Sequence, residues 1–114
     1  MDEKEQILIE NIKEYHSYST IAFNKGDYNT ATTLFFKTLA ALCDLLLLRK
    51  TGRIPSSHTD RFRMLEQYLP KLYGIVDRDF PFYQDSYTTK LTKEAAEVLK
   101  DDAEELAKQL DVSL

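Results

Sequence analysis

The 114-residue sequence contains no tryptophan, one cysteine, three glycines and three prolines. A single cysteine, Cys43, excludes an internal disulfide framework and a multi-cysteine zinc site. It also favours a reducing compartment, so a cytoplasmic location is expected. Three glycines do not compose a dinucleotide fingerprint, and no Gly-Lys-Ser/Thr phosphate loop is present, so no cofactor is expected. The two histidines, His16 and His58, have Lys13 and Pro55 three residues upstream instead of the glutamates a bundle di-iron site uses, and no metal site is expected. The first fifteen residues are rich in charge and lack the apolar run of a signal peptide. The longest nearly apolar stretch, Leu39 to Leu48, spans ten residues and is broken by Asp44. A membrane span needs about 20, so no membrane association is expected and the run reads as a buried helix.

The chain is 43% hydrophobic, enough for a core at a length that suits one domain over residues 1–114. Leu8, Ile12, Tyr15, Ser19 and Ala22 follow the 4-3-4-3 spacing of one helix face, predicting a helix over about 3–25 that ends at Gly26. Asp27 is expected to cap a second helix with its carboxylate. That helix is predicted over about 28–50, with apolar residues from Tyr28 to Leu46 and four consecutive leucines, Leu45 to Leu48. Four in a row circle the helix, so burial on more than one side is expected, either against a second subunit or against the fourth helix. Gly52 and Pro55 mark a loop. A third helix begins near residues 57–60 and must kink or split at Pro70. Residues 71–77 suit a short helix, residues 78–90 read as irregular and aromatic, and Thr92 is a suitable N-cap for a last helix carrying Leu99, Ala103, Leu106 and Leu110. No stretch alternates with period two. The expected fold is all-α, a four- or five-helix up-down bundle.

The formal net charge is −4, which argues against broad coating of nucleic acid, DNA included. The charge is uneven. Residues 49–63 carry Arg49, Lys50, Arg53, Arg61 and Arg63 against one acid, Asp60, a local +4 that leaves the rest of the chain at −8. This basic island is the candidate site.

Gly26 to Leu39 (GDYNTATTLFFKTL) resembles half of a tetratricopeptide repeat, but no second copy follows at residues 60–73. A broader resemblance covers nearly the whole chain. A long first helix ends in a Gly26-Asp27-Tyr28 turn, and a Leu-rich second helix carries Ala31 and Lys37. Arg53-Ile-Pro-Ser-Ser-His58 then enters the third helix, and a SYTTKLTKEAAEVLKDDAEEL tail contains Tyr87. In these features the chain resembles the HEPN family of small prokaryotic helical domains, whose signature is an arginine, four to six residues, then a histidine. The resemblance implies a homodimer in which Arg53 and His58 of two subunits line one cleft. It implies an RNA or nucleotide ligand and, in catalytic members, metal-independent ribonuclease activity. Many such members are toxins paired with a nucleotidyltransferase-type partner, whereas others are noncatalytic binders. Two positions depart from the pattern: Ile54 follows the motif arginine where many active members have a polar residue, and Asp60 stands where nucleotidylated toxins have tyrosine.

The chemistry of the motif fits that role. Histidine supplies an acid or a base near neutral pH. Arginine offers a planar fork of donors to phosphate oxygens and keeps its charge. On this reading Arg53 and His58 are the catalytic candidates, and Arg49, Lys50, Arg61 and Arg63 hold flanking phosphates. Asp60 supports them by pairing with Arg53 or orienting His58. The alternative is a noncatalytic module that binds a partner protein. There His58 is a cap-region residue, Arg53 a solvated cation, Arg61 and Arg63 partners of Asp60 or Glu66, and the aromatics of 80–87 bundle-end packing.

Overall fold

The computed structural model describes residues 2–114, which form five helices and no strand. The helices are α1 (Glu3–Lys25), α2 (Tyr28–Thr51), α3 (His58–Tyr68), α4 (Pro70–Asp85) and α5 (Lys93–Gln109). The all-α expectation holds.

Local chemistry accounts for most of the boundaries. Asp2 accepts a hydrogen bond from the Lys4 N–H at the start of α1, and Ser57 and Thr92 do the same for the N–H groups of Asp60 and Ala95 at α3 and α5. Gly26 (φ +82°) and Gly52 (φ +79°) close α1 and α2 in the left-handed conformation that glycine adopts without a Cβ penalty. Asp27 does not act as expected. It occupies the N-cap position of α2, but its backbone (ψ 73°) is not the extended form from which a side chain reaches back, and its carboxylate makes no capping bond. Pro70 splits the chain: Leu69 leaves the helical region, and Pro70 restarts it as the first residue of α4, where a missing N–H costs nothing.

The stretch expected to be irregular after residue 77 is helical through Asp85, with Pro81 inside α4. Pro81 removes the bond to the Asp77 carbonyl, but both residues are exposed and water can take that place. The other side of the helix carries Val76, Phe80 and Tyr83 at packing intervals, and that burial outweighs the local defect.

Core formation centres on α2. Of its 24 residues, 14 are buried, and it packs against each of the other four helices. Leu45, Leu47 and Leu48 are all buried within one chain and only Leu46 is half exposed, so the leucine run needs no second subunit to cover it. By length and hydropathy α2 would also cross a membrane, but most of its apolar stretch is buried inside the bundle. Each fully buried leucine contributes roughly 1.5–3 kcal/mol. Cys43 is fully buried in the same layer; burial, reinforced by the charge of Asp44, pushes its thiol pKa up to about 12, as suits an inert core residue.

Two polar contacts tie the outer helices together. His16 on α1 meets Glu104 on α5 at 2.9 Å. Arg78 bonds both Asp79, at 3.1 Å, and Asp102 on α5. Asp79 is fully buried, and its second carboxyl oxygen has no hydrogen-bond partner among the described residues. Burial and the neighbouring Asp102 raise its pKa to about 8, so it carries a proton at neutral pH.

Candidate functional site

The loop from Arg53 to Ser57 folds around Asp60. The Asp60 carboxylate, itself buried, accepts hydrogen bonds from the Ser56 N–H at 2.9 Å, the Ser56 hydroxyl at 3.2 Å and Arg53 at 2.8 Å. Arg63 reaches the same carboxylate at 3.3 Å. The Arg53 hydrogen bond and the Ser56 N–H hold the Asp60 carboxyl well below the usual range. Of its two expected roles, Asp60 fulfils the pairing with Arg53; it makes no hydrogen bond to His58.

His58 turns elsewhere. Its ring lies 5.4–6.2 Å, centroid to centroid, from Phe80, Tyr83 and Phe36. Its Nδ1 sits 3.0 Å from a terminal nitrogen of Arg61. Arg61 is gripped by Asp44 of α2 through two bonds, at 2.8 and 3.0 Å, with both side chains largely buried. Burial works against the Arg61 charge, but the Asp44 hydrogen bonds and charge outweigh it and raise the Arg61 pKa.

This arrangement assigns the His58 tautomer. Arginine only donates, so Nδ1 must accept, and the ring proton resides on Nε2. A protonated ring would lose that acceptor and face a cation. Partial desolvation against the aromatic wall, then the charges of Arg61 and Lys37, lower the His58 pKa. At neutral pH His58 is therefore a neutral donor through Nε2–H. Serving as a general base through Nε2 requires the opposite tautomer, which Arg61 opposes.

His58 and Arg61 line a groove of about 330 Å³ with Asn11 and Tyr15 of α1, Lys37 and Asp44 of α2, and Tyr83 of α4. Arg53 is not among its lining residues; its guanidinium is more than half exposed and engaged with Asp60. Arg49 pairs with Glu5 of α1, and Lys50 is exposed at the end of α2. The basic island is thus less basic in space than along the chain. Glu5 and Asp44, both distant in sequence, bring the local +4 to +2. Sequence reasoning placed His58 and Arg61 near a site but took Lys37 only as part of a family likeness, and it missed Asn11, Tyr15 and Tyr83. One signal was available: Asp44, an acid inside a leucine run, has to be paired if buried.

Among the described residues no group of three or more His, Cys, Asp or Glu side chains is placed to hold a metal ion. No protein-family model, curated protein or solved structure matches the chain.

Proposed function

We propose that the chain is a HEPN-like domain that binds the phosphate of a nucleotide or an RNA strand in the His58 groove, as a binder rather than a nuclease. The bond from Arg61 to His58 Nδ1 carries this reading, because it presents Nε2–H as a donor and withholds the ring as a base. Lys37, exposed at the groove and in no ion pair among the described residues, supplies the mobile positive charge. Tyr15 and Tyr83 offer aromatic surface for a base. A ribonuclease form of the same site needs Arg61 to release Nδ1 and a second Arg53–His58 pair to complete the chemistry. Regulation by a nucleotidyltransferase-type partner has less support, since Asp60 lacks an acceptor hydroxyl and is occupied by Arg53.

The test is fluorescence anisotropy with a labelled single-stranded oligoribonucleotide and, separately, a labelled adenine nucleotide, at two salt concentrations. Wild type is expected to bind, with Lys37→Ala and His58→Ala each weakening binding at least about tenfold, by loss of charge-assisted contacts worth roughly 1.5–3 kcal/mol. Equal binding by all three proteins, or none by wild type, overturns the proposal. Incubation of the RNA with a chelator present separates the two forms: cleavage that disappears in His58→Ala establishes the nuclease instead.

A further inference from the structure

The groove at His58 is continued along the hairpin beyond Tyr15. On α1, Asn11, Tyr15, Tyr18, Ala22 and Lys25 follow 4-3-4-3 spacing and share one helix face. From Asp27 along α2, Thr30, Leu34, Lys37, Ala41 and Asp44 keep the same kind of spacing. The two lines run antiparallel along one seam of the α1–α2 hairpin. Asn11, Lys37, Ala41 and Asp44 line the His58 groove, whereas Tyr18, Ala22, Lys25, Asp27, Thr30 and Leu34 line a second groove of about 400 Å³. Tyr15 lines both, so the two are consecutive stretches of one track.

The stretches differ in chemistry. The first holds Lys37, Arg61 and His58, and Asp44, the one acid lining it, is already paired with Arg61 at 2.8 Å. The second is walled by Tyr15, Tyr18 and Ile21, with Tyr18 61% and Ile21 51% exposed. Its charges are Glu14, Lys25 and Asp27, all exposed and in no ion pair among the described residues. An anion is therefore favoured in the first stretch and a flat apolar group in the second. A phosphate in the second stretch would meet two carboxylates against one ammonium. Tyr18 and Ile21 lie three and six residues beyond Tyr15, about 4.5 and 9 Å along the helix at 1.5 Å per residue. Those distances lie within the reach of one nucleotide from its phosphate to its own base. Tyr83 is less suited to receive that base, because one face of its ring is stacked on Phe36 at 4.8 Å.

We propose that the ligand of this site is a single nucleotide, not an internal stretch of RNA, with its phosphate at Lys37 and His58 and its base stacked on Tyr18 in the second groove. This rests on the phosphate reading of the His58 groove given above. Tyr18 is then a specificity-determining residue, since an aromatic face selects for a base of any kind. Glu14 and Asp27 act against the next phosphate of a strand.

Calorimetric titration of the full chain with adenosine monophosphate, ribose phosphate and an oligoadenylate lacking terminal phosphates tests this. Adenosine monophosphate should bind more tightly than either of the others. Tyr18→Ala should weaken it at least about fivefold and leave ribose phosphate unchanged, whereas Tyr18→Phe keeps the ring and should retain wild-type binding. His58→Ala should weaken both small ligands. Replacing both acids, Glu14→Gln with Asp27→Asn, should tighten oligoadenylate more than adenosine monophosphate. All three substituted positions of the second groove are exposed, and unchanged circular dichroism and melting temperature confirm folding of each variant. If Tyr18→Ala binds adenosine monophosphate like wild type while His58→Ala does not, the base slot is wrong and the phosphate reading stands. Oligoadenylate binding wild type more tightly than adenosine monophosphate likewise overturns the single-nucleotide proposal alone. Wild type that binds neither small ligand overturns both.

Discussion

Replacing Arg61 with methionine removes the one cation that pairs with Asp44 among the described residues, and the structure sets the size of the cost. Asp44 is 7% exposed and sits among Cys43, Leu45 and Leu47 in the layer where α2 meets its neighbours. Breaking a buried pair from one side leaves an uncompensated charge and costs about 3–5 kcal/mol. For a domain of this size that corresponds to a fall of roughly 10–25 °C in melting temperature. Arg63→Met is the control. Arg63 is also bonded to an aspartate, but its side chain is 72% exposed, and such a pair is worth about 0–1 kcal/mol. The paired change Asp44→Leu with Arg61→Met should recover most of the loss, because an apolar pair of similar volume suits the layer. Urea unfolding followed by circular dichroism measures all three. A second readout comes from His58. Losing Arg61 frees Nδ1 and removes the nearest cation, so the His58 pKa, now depressed, should rise toward about 6.5 in an NMR titration. The sign also sets a pH dependence. A histidine with a lowered folded pKa contributes stability that is full above about 6.5 and is lost as pH falls through the folded value, and the variant should show a weaker dependence, because desolvation against the aromatic wall and the Lys37 charge remain. If Arg61→Met costs no more than Arg63→Met and leaves the His58 titration in place, the reading of this pair as the brace of the groove is wrong.

Other outcomes follow from the same structure. Asp79 has a folded pKa raised to about 8, so its contribution to stability is full below about 3.9 and is lost as pH rises through 8; Asp79→Asn should flatten that decline in melting temperature between pH 6 and 9. Cys43 should react with a thiol reagent only as fast as the protein opens, and urea should accelerate the reaction far more than raising the pH from 7 to 9. Gly26→Ala should cost roughly 1–2 kcal/mol by urea unfolding, wholly from its positive φ, since the nearest atom to an added Cβ is 4.0 Å away.

Helix positions were legible in the sequence wherever local chemistry decides them. Gly26, Gly52, Ser57, Pro70 and Thr92 each act within a few residues of where they stand. The reading failed where tertiary packing overrides local preference. Pro81 looks like a breaker, but the aromatic face of α4 has α2 and α3 to lie on. The site followed the same division. The sequence interval from Arg53 to His58 suggested that the two side chains act together, whereas the fold gives each its own partner, Asp60 and Arg61. Charge in the 49–63 window was likewise counted correctly and interpreted incompletely, because Glu5 and Asp44 reach it from other helices. Spacing along a helix predicts which residues share a face; it says nothing of which acid arrives from across the bundle.

The central position of α2 has a consequence for synthesis. The α1–α2 hairpin can form as soon as its residues have left the ribosome, since its contacts are local. The face that α5 covers has no such early partner: the α2 residues there wait for a helix that begins at Lys93, more than forty residues after α2 ends at Thr51. Until that last helix emerges, the nascent chain displays a greasy stripe along its middle. A chain that stalls or is truncated before Lys93 therefore yields a sticky fragment, which quality-control proteases should clear, rather than a smaller working domain.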